Sequence, residues 1–83
     1  MTLDQLQGGQ WATIQQLPAG DVRAQIIRFG LGEGEAVQCA ETLRGGPIVI
    51  RKGTFYLAVG RRLARRIAVQ PLKHPLPPGG LRP

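Results

Sequence analysis

Residues 48–59 constrain the fold more than any other part of this chain. Ile48-Val49-Ile50-Arg51 and Thr54-Phe55-Tyr56-Leu57-Ala58-Val59 are two β-rich runs on either side of Lys52-Gly53. Two residues ending in glycine between such runs predict an antiparallel hairpin. With Lys52-Gly53 as the loop, Arg51 faces Thr54, Ile50 faces Phe55, Val49 faces Tyr56 and Ile48 faces Leu57. That register gathers Ile48, Ile50, Phe55, Leu57 and Val59 on one apolar face, and a slip of one residue would scatter them. Val49 and Tyr56 fall on the opposite, outward face.

The rest of the chain supplies short elements in the same idiom. Twelve glycines and seven prolines in 83 residues punctuate it often, which suits several short strands better than a few long helices. Thr2 to Gly9 reads as an opening turn with Leu3 and Leu6 one turn apart. Trp11 to Leu17 reads as a strand ended by Pro18, with Ala12 and Ile14 on one face and Trp11, Thr13 and Gln15 on the other. Asp21 is placed as the N-cap of a two-turn helix whose apolar stripe is Val22, Ile26 and Phe29. Ile27 lies off that stripe and is expected to pack sideways. Gly30 follows as the left-handed residue that closes the helix. Glu35 to Thr42 reads as a strand with Val37 and Cys39 on one face and Gln38 on the other. After the hairpin, Gly60 to Arg66 reads as a short helix with Leu63 and Ala64 inward, and Ile67-Ala68-Val69 as a closing strand.

This arrangement predicts a mainly β domain over residues 1–69. It is a small, partly open SH3-like barrel of about five strands, with one two-turn helix and a short C-terminal helix. Residues 70–83 hold five of the seven prolines and the only histidine, His74, and read as an extended, mobile tail. The tail could also serve as a polyproline ligand for another domain.

Length and composition then exclude whole classes of function. A chain of 83 residues is one domain. It buries only about 60% of the surface that its unfolded form exposes, too little for a multi-layer enzyme with an enclosed pocket. Nucleophilic catalysis needs an activated Ser, Cys or Thr, and the chain has no serine and one cysteine. Cys39 sits on the inward face of a strand and is read as a buried, inert thiol. Glu33, Glu35 and Glu41 with a single histidine do not make a ferrous site, which wants about three converging ligands. No catalytic residue, resident metal or cofactor is therefore expected. A lone cysteine forms no intrachain disulfide. No apolar run approaches the roughly 18 residues of a membrane span, and the first ten residues lack the pattern of a signal peptide. A cytoplasmic domain is expected.

Charge is sorted along the chain. Residues 1–43 hold two arginines against five acids, a net of −3, and residues 44–83 hold nine Lys/Arg and no acid, which brings the whole to +6. Such a basic half suits nucleic acid, an anionic membrane surface or an acidic protein face. Its densest part is Arg61, Arg62, Arg65 and Arg66, spaced as two pairs along the outer face of the short helix. A solvated face is the plain reading of that cluster, and a partner contact is the functional one. Nucleic acid is disfavoured, because no aromatic platforms interleave with these arginines and no helix is long enough to lie in a groove. Trp11, Val49 and Tyr56, all on outward faces, form a second candidate contact surface, unless the helix at 22–29 covers them.

Three pieces of sequence resemble one family. Ala24-Gln25-Ile26-Ile27-Arg28-Phe29-Gly30-Leu31 followed by Gly34 is similar to its apolar helix, Leu-Gly and turn-glycine pattern. Gly45-Gly46-Pro47-Ile48 is similar to its Gly-Gly-Pro loop before a strand. Leu57-Ala58-Val59, then Ala64 and Ile67-Ala68-Val69, resemble its closing strand, helix and strand. The family is the FeoA (ferrous iron transport protein A) domain, and the resemblance runs from Leu3 to Val69. On it, Ile26, Gly30, Gly34, Gly46, Pro47 and Ala64 would be structural motif positions. Two positions depart from the pattern: Glu33, where members commonly carry proline, and Gly60, where they carry a polar or basic residue. The resemblance implies an SH3-like barrel and a small cytoplasmic accessory of ferrous iron uptake. Its expected partner is the membrane GTPase-permease FeoB, which would hold it at the periphery of the inner membrane. The same fold occurs as the C-terminal domain of iron-dependent regulators of the diphtheria-toxin-repressor type. Three readings therefore stand: a permease-binding module, a nucleic-acid-binding basic barrel, and a self-associating interaction domain that forms a homo-oligomer.

Overall fold

The computed structural model describes residues 1–42 and 44–73. A single 3-10 turn, Leu3–Gln5, is followed by β1 (Trp11–Gln16), α1 (Asp21–Arg28), β2 (Ala36–Thr42), β3 (Ile48–Lys52), β4 (Phe55–Val59), α2 (Arg61–Ala64) and β5 (Ala68–Pro71). The strands form one antiparallel sheet in the order β4-β3-β2-β1-β5, and it is not closed. β4 and β5 are its edges. The expected polyproline tail and His74 lie outside the described residues from position 74 on. Pairing continues past Val69, since Gln70 and Pro71 face Thr13 and Ala12, and the Leu72 N–H donates to the Trp11 carbonyl.

One apolar cluster fills the inside of the sheet. Alternate residues supply it from every strand: Ala12 and Ile14, Val37 and Cys39, Ile48 and Ile50, Val59, and Val69. Leu3 and Leu6 enter from the opening turn, Ile26 and Leu31 from α1 and its end, and Ala64 and Ile67 from α2 and the turn after it. No buried side chain in the cluster is polar or charged. Burial of each large side chain contributes about 1.5–3 kcal/mol, set against the ordering of the chain.

The hairpin has the expected faces but a different register. Lys52 faces Phe55, Arg51 faces Tyr56, Ile50 faces Leu57, Val49 faces Ala58 and Ile48 faces Val59. Its loop is Gly53-Thr54, not Lys52-Gly53. Gly53 has φ +60, and a two-residue turn of the II′ kind wants glycine at its first central position. Lys52 therefore stays in β3. The shift of two residues preserves which side chains share a face, so Ile48, Ile50, Leu57 and Val59 still point together.

Helix α1 also differs in detail. Its N-cap is Gly20, not Asp21, which is the first helical residue and makes no side-chain cap. At its end Gly30 has φ +102, the Gly30 N–H donates to the Ile27 carbonyl, and the Leu31 N–H donates to the Ile26 carbonyl. This is a Schellman closure, with Leu31 and Ile26 making its apolar contact. Leu31 thereby takes the core position expected for Phe29. Of the predicted stripe only Ile26 is buried; Val22 is half-buried and Phe29 is 65% exposed. Ile27, expected to pack sideways, is exposed. Helix α2 is one turn, Arg61–Ala64, shorter than the expected Gly60 to Arg66.

Candidate partner-docking surface

The four arginines do not act as one ledge. Arg61 is half-buried, and its Nε donates to the Gly46 carbonyl at 3.1 Å, which ties α2 to the Gly-Gly-Pro loop. Because α2 ends at Ala64, Arg65 is its C-cap and Arg66 lies in the following turn, where the Arg66 N–H bonds the Leu63 carbonyl. Arg62, Arg65 and Arg66 are exposed and make no ion pair among the described residues. Arg62, Leu63 and Arg66 line a groove together with Val22 and Gln25 of α1.

Leu63 also belongs to an apolar cleft of about 160 Å³ between α1, β4 and α2. Ile26, Phe29 and Leu31 line it from α1 and its end, Leu57, Ala58 and Val59 from β4, and Ile67 from the turn after α2. Groove and cleft thus share Leu63, the groove lined by two arginines and the cleft by apolar residues. Sequence reasoning missed this feature. Its one local signal is Phe29 at the helix end beside Gly30, where a large apolar residue is left outside the core.

The second expected surface is a row across the outward face of the sheet. Trp11 faces Gln38, Gln38 faces Arg51, and Arg51 faces Tyr56. The Arg51 guanidinium donates to Gln38 Oε1 at 2.7 and 3.2 Å and lies over the Trp11 ring, 5.6 Å from its centroid. Such stacking adds about 0.5–1 kcal/mol at exposed sites. Trp11 is half-buried and Tyr56 is 62% exposed. Val49 faces Ala58 rather than Tyr56, one row away. Helix α1 does not cover this face, since its one buried residue, Ile26, joins the inner cluster. Arg51, which links Trp11 to Tyr56, was not among the expected site residues.

Two carboxylates hold the loop after α1. Glu33 accepts from both guanidinium nitrogens of Arg23, at 2.8 and 3.0 Å, and from the Leu17 N–H at 3.0 Å. The Arg23 hydrogen bond, then that of Leu17, lowers the Glu33 carboxyl to about 2. Glu35 accepts from Lys52 Nζ at 2.7 Å and from the Gly32 N–H at 2.6 Å. Burial raises the Glu35 carboxyl, but these donors outweigh it and leave it below its ordinary value. Lys52 also donates to the Gly30 carbonyl. Glu33 and Glu35 are thus engaged within the fold, and Glu41 is exposed.

The motif positions fall at turns and in the core. Gly30 closes α1, and a Cβ there would meet the Phe55 ring at 3.3 Å. The Gly34 N–H donates to the Ile14 carbonyl, Ile26 and Ala64 are buried, and Pro47 leads into β3. Cys39 is fully buried, and burial pushes its thiol up, away from the thiolate that nucleophilic chemistry needs. Among the described residues no three His, Cys, Asp or Glu converge, and no helix is long and apolar enough to cross a membrane.

A family model, the FeoA domain, matches residues 1–71. A crystal structure of an iron uptake regulatory protein (FeoA) is 29% identical, with a TM-score of 0.78, over 87% of this chain and 97% of that one. The solution structure of a FeoA protein from Chlorobium tepidum is 26% identical, with a TM-score of 0.78, over 93% and 81%. A FeoA from Stenotrophomonas maltophilia, crystallised with zinc, is 28% identical, with a TM-score of 0.66, over 84% and 89%. It is described as an SH3 domain protein and suggested as a bacterial ferrous iron transport activating factor. The fold is accordingly SH3-like. No curated protein matches the chain.

Proposed function

The chain belongs to the FeoA family, and from that premise we propose that it is a cytoplasmic accessory of ferrous iron uptake. It acts by contact with the membrane GTPase-permease of that system, FeoB, and not by catalysis. The observation that carries this reading is the surface formed by Arg62, Arg65 and Arg66, exposed and without an acid partner among the described residues. Like charges one turn apart repel by a few tenths of a kcal/mol, and an acidic partner would relieve them. An anionic leaflet beside the permease would add to the same attraction. The relative from Stenotrophomonas maltophilia, suggested as a transport activating factor, supports a regulatory role of this kind. Trp11, Arg51 and Tyr56, with Val49 beside them, offer a second, more aromatic surface for the same partner.

The test is capture of the permease's cytoplasmic domain by the purified chain. The triple variant Arg62→Glu, Arg65→Glu, Arg66→Glu should bind at least about tenfold more weakly, since each tenfold is only 1.4 kcal/mol. Binding of the parent chain should also weaken as salt rises. Undiminished binding by the triple variant removes the role given to this surface. Nucleic acid, the charge-based alternative, predicts instead a Kd near 10⁻⁴–10⁻⁶ M for unrelated DNA at physiological salt.

A further inference from the structure

Strand β4 is an edge of the sheet, and no described residue pairs with its outer side. Among the described residues, no side chain and no backbone group outside the sheet hydrogen-bonds to Phe55–Val59. Its sequence, Phe-Tyr-Leu-Ala-Val, carries no charge and no proline, the devices that keep an exposed edge from pairing. The cleft described above lies beside this edge. Leu57, Ala58 and Val59, three consecutive residues of the strand, line it. Across the cleft, Phe29 stands 65% exposed.

We propose that β4 is a docking edge for an extended segment of a partner protein. The segment adds a sixth strand to the sheet, places alternate apolar side chains in the cleft and carries acidic residues at the end beside Gly60. Main-chain pairing of this kind supplies affinity, and the alternate side chains supply specificity. The position of the acids follows from the chain. β4 leads through Gly60 directly into α2 and the turn after it, where Arg62 and Arg66 line the groove that shares Leu63 with the cleft. Charge also chooses between occupants. A second copy of this chain would bring another +6 and the same arginines to the contact, with Glu33 and Glu35 already engaged by Arg23 and Lys52. An acidic segment meets those arginines with opposite charge.

The proposal rests on the contact reading above, and the experiment separates the two. The full chain, labelled with ¹⁵N, is titrated with two synthetic seven-residue peptides that alternate valine or leucine with threonine. One is flanked by glutamates and the other by lysines. The expected result is slowed amide exchange within Phe55–Val59 and at least tenfold tighter binding of the glutamate peptide. That preference should be lost in Arg62→Glu, Arg66→Glu, both exposed positions that leave the fold intact. Equal binding of the two peptides, shifts confined to other surfaces, or no binding up to about 1 mM overturns the proposal. Protection of β4 that grows with protein concentration alone assigns the edge to a second copy and overturns it equally. Titration with the permease's cytoplasmic domain is the second arm. Binding that protects a different surface keeps the permease and removes the β4 edge. Binding of the peptide without the permease domain keeps the edge and removes the permease.

Discussion

The two edges of the sheet are handled in opposite ways. The outer edge of β5 is covered by the first three residues. The Leu3 N–H donates to the Ile67 carbonyl at 2.9 Å, the Val69 N–H to the Met1 carbonyl at 2.8 Å, and Thr2 bridges Ala68. Leu3 is itself fully buried, and β5 reaches its end at Pro71, which has no N–H to offer. Among the described residues, the edge of β4 has none of these devices. One edge is therefore part of the fold, and the other is part of the surface. An open sheet needs some means of managing each edge. Where a five-residue apolar strand is left without one, an intermolecular role explains it better than an accident of packing.

The largest expected effect tests the covered edge. Leu3→Ala leaves a cavity in the core and loosens the segment that covers β5, at a cost of about 2–5 kcal/mol in urea unfolding. A cost under about 1 kcal/mol would show that the opening turn merely lies against the sheet, and the contrast between the edges would fail. A smaller effect belongs to the other side. Lys52→Met removes the partner of Glu35 and a donor to the Gly30 carbonyl. An ion pair this exposed contributes about 0–1 kcal/mol. The loss should be local, read as faster amide exchange at Phe55 and Tyr56 with Val69 unchanged. Equal acceleration at both edges would mean that they open together and are not distinct.

The wall of the cleft depends on Glu33. Its bond to Arg23 ties α1, which supplies Ile26 and leads into Phe29, to the loop that follows the helix. The folded carboxyl sits at about 2 against an ordinary 4.5. Its contribution is therefore fully present above pH 4.5 and is lost as pH falls through about 2. Glu33→Gln should be less stable than the parent at neutral pH, and the difference should close across that window. A difference undiminished at pH 2 would show that Glu33 acts by packing and not by charge.

Much of this molecule is legible in its sequence, and the failures have physical reasons. Period-two alternation identifies Ile48, Ile50, Leu57 and Val59 as core, because a strand must send alternate residues to one face. It does not identify the register, because a shift of two residues leaves the faces unchanged, and only the φ of Gly53 decides between Lys52-Gly53 and Gly53-Thr54. Helical spacing puts Val22, Ile26 and Phe29 on one side of α1. It cannot say how far the sheet extends beneath that side, and Leu31 takes the place Phe29 was expected to fill. Four arginines look alike in sequence, yet Arg61 turns to the Gly46 carbonyl while Arg62, Arg65 and Arg66 stay exposed. The bond from Arg23 to Glu33 spans ten residues and a helix end, and the row from Trp11 to Tyr56 crosses four strands. Neither leaves a local pattern. The open edge of β4 is a property of topology alone, since Phe55–Val59 would read the same in the middle of a sheet.

The smallest expected effect is the most telling. Ala58 is exposed on β4 and faces Val49, so Ala58→Lys adds the gatekeeper that this edge lacks without disturbing the core. A surface substitution of this kind moves stability by no more than about 0.5 kcal/mol. Unfolding in urea should therefore be unchanged, while capture of an acidic extended peptide should fall at least about tenfold, a loss of 1.4 kcal/mol in binding. A charge on the edge of a strand already engaged within the fold would do the reverse and lower stability, because the lysine would have to be accommodated against whatever covers it. Stability and binding thus move separately only if the edge is free. A fall in stability of more than about 1.5 kcal/mol would place β4 with β5 as a covered edge.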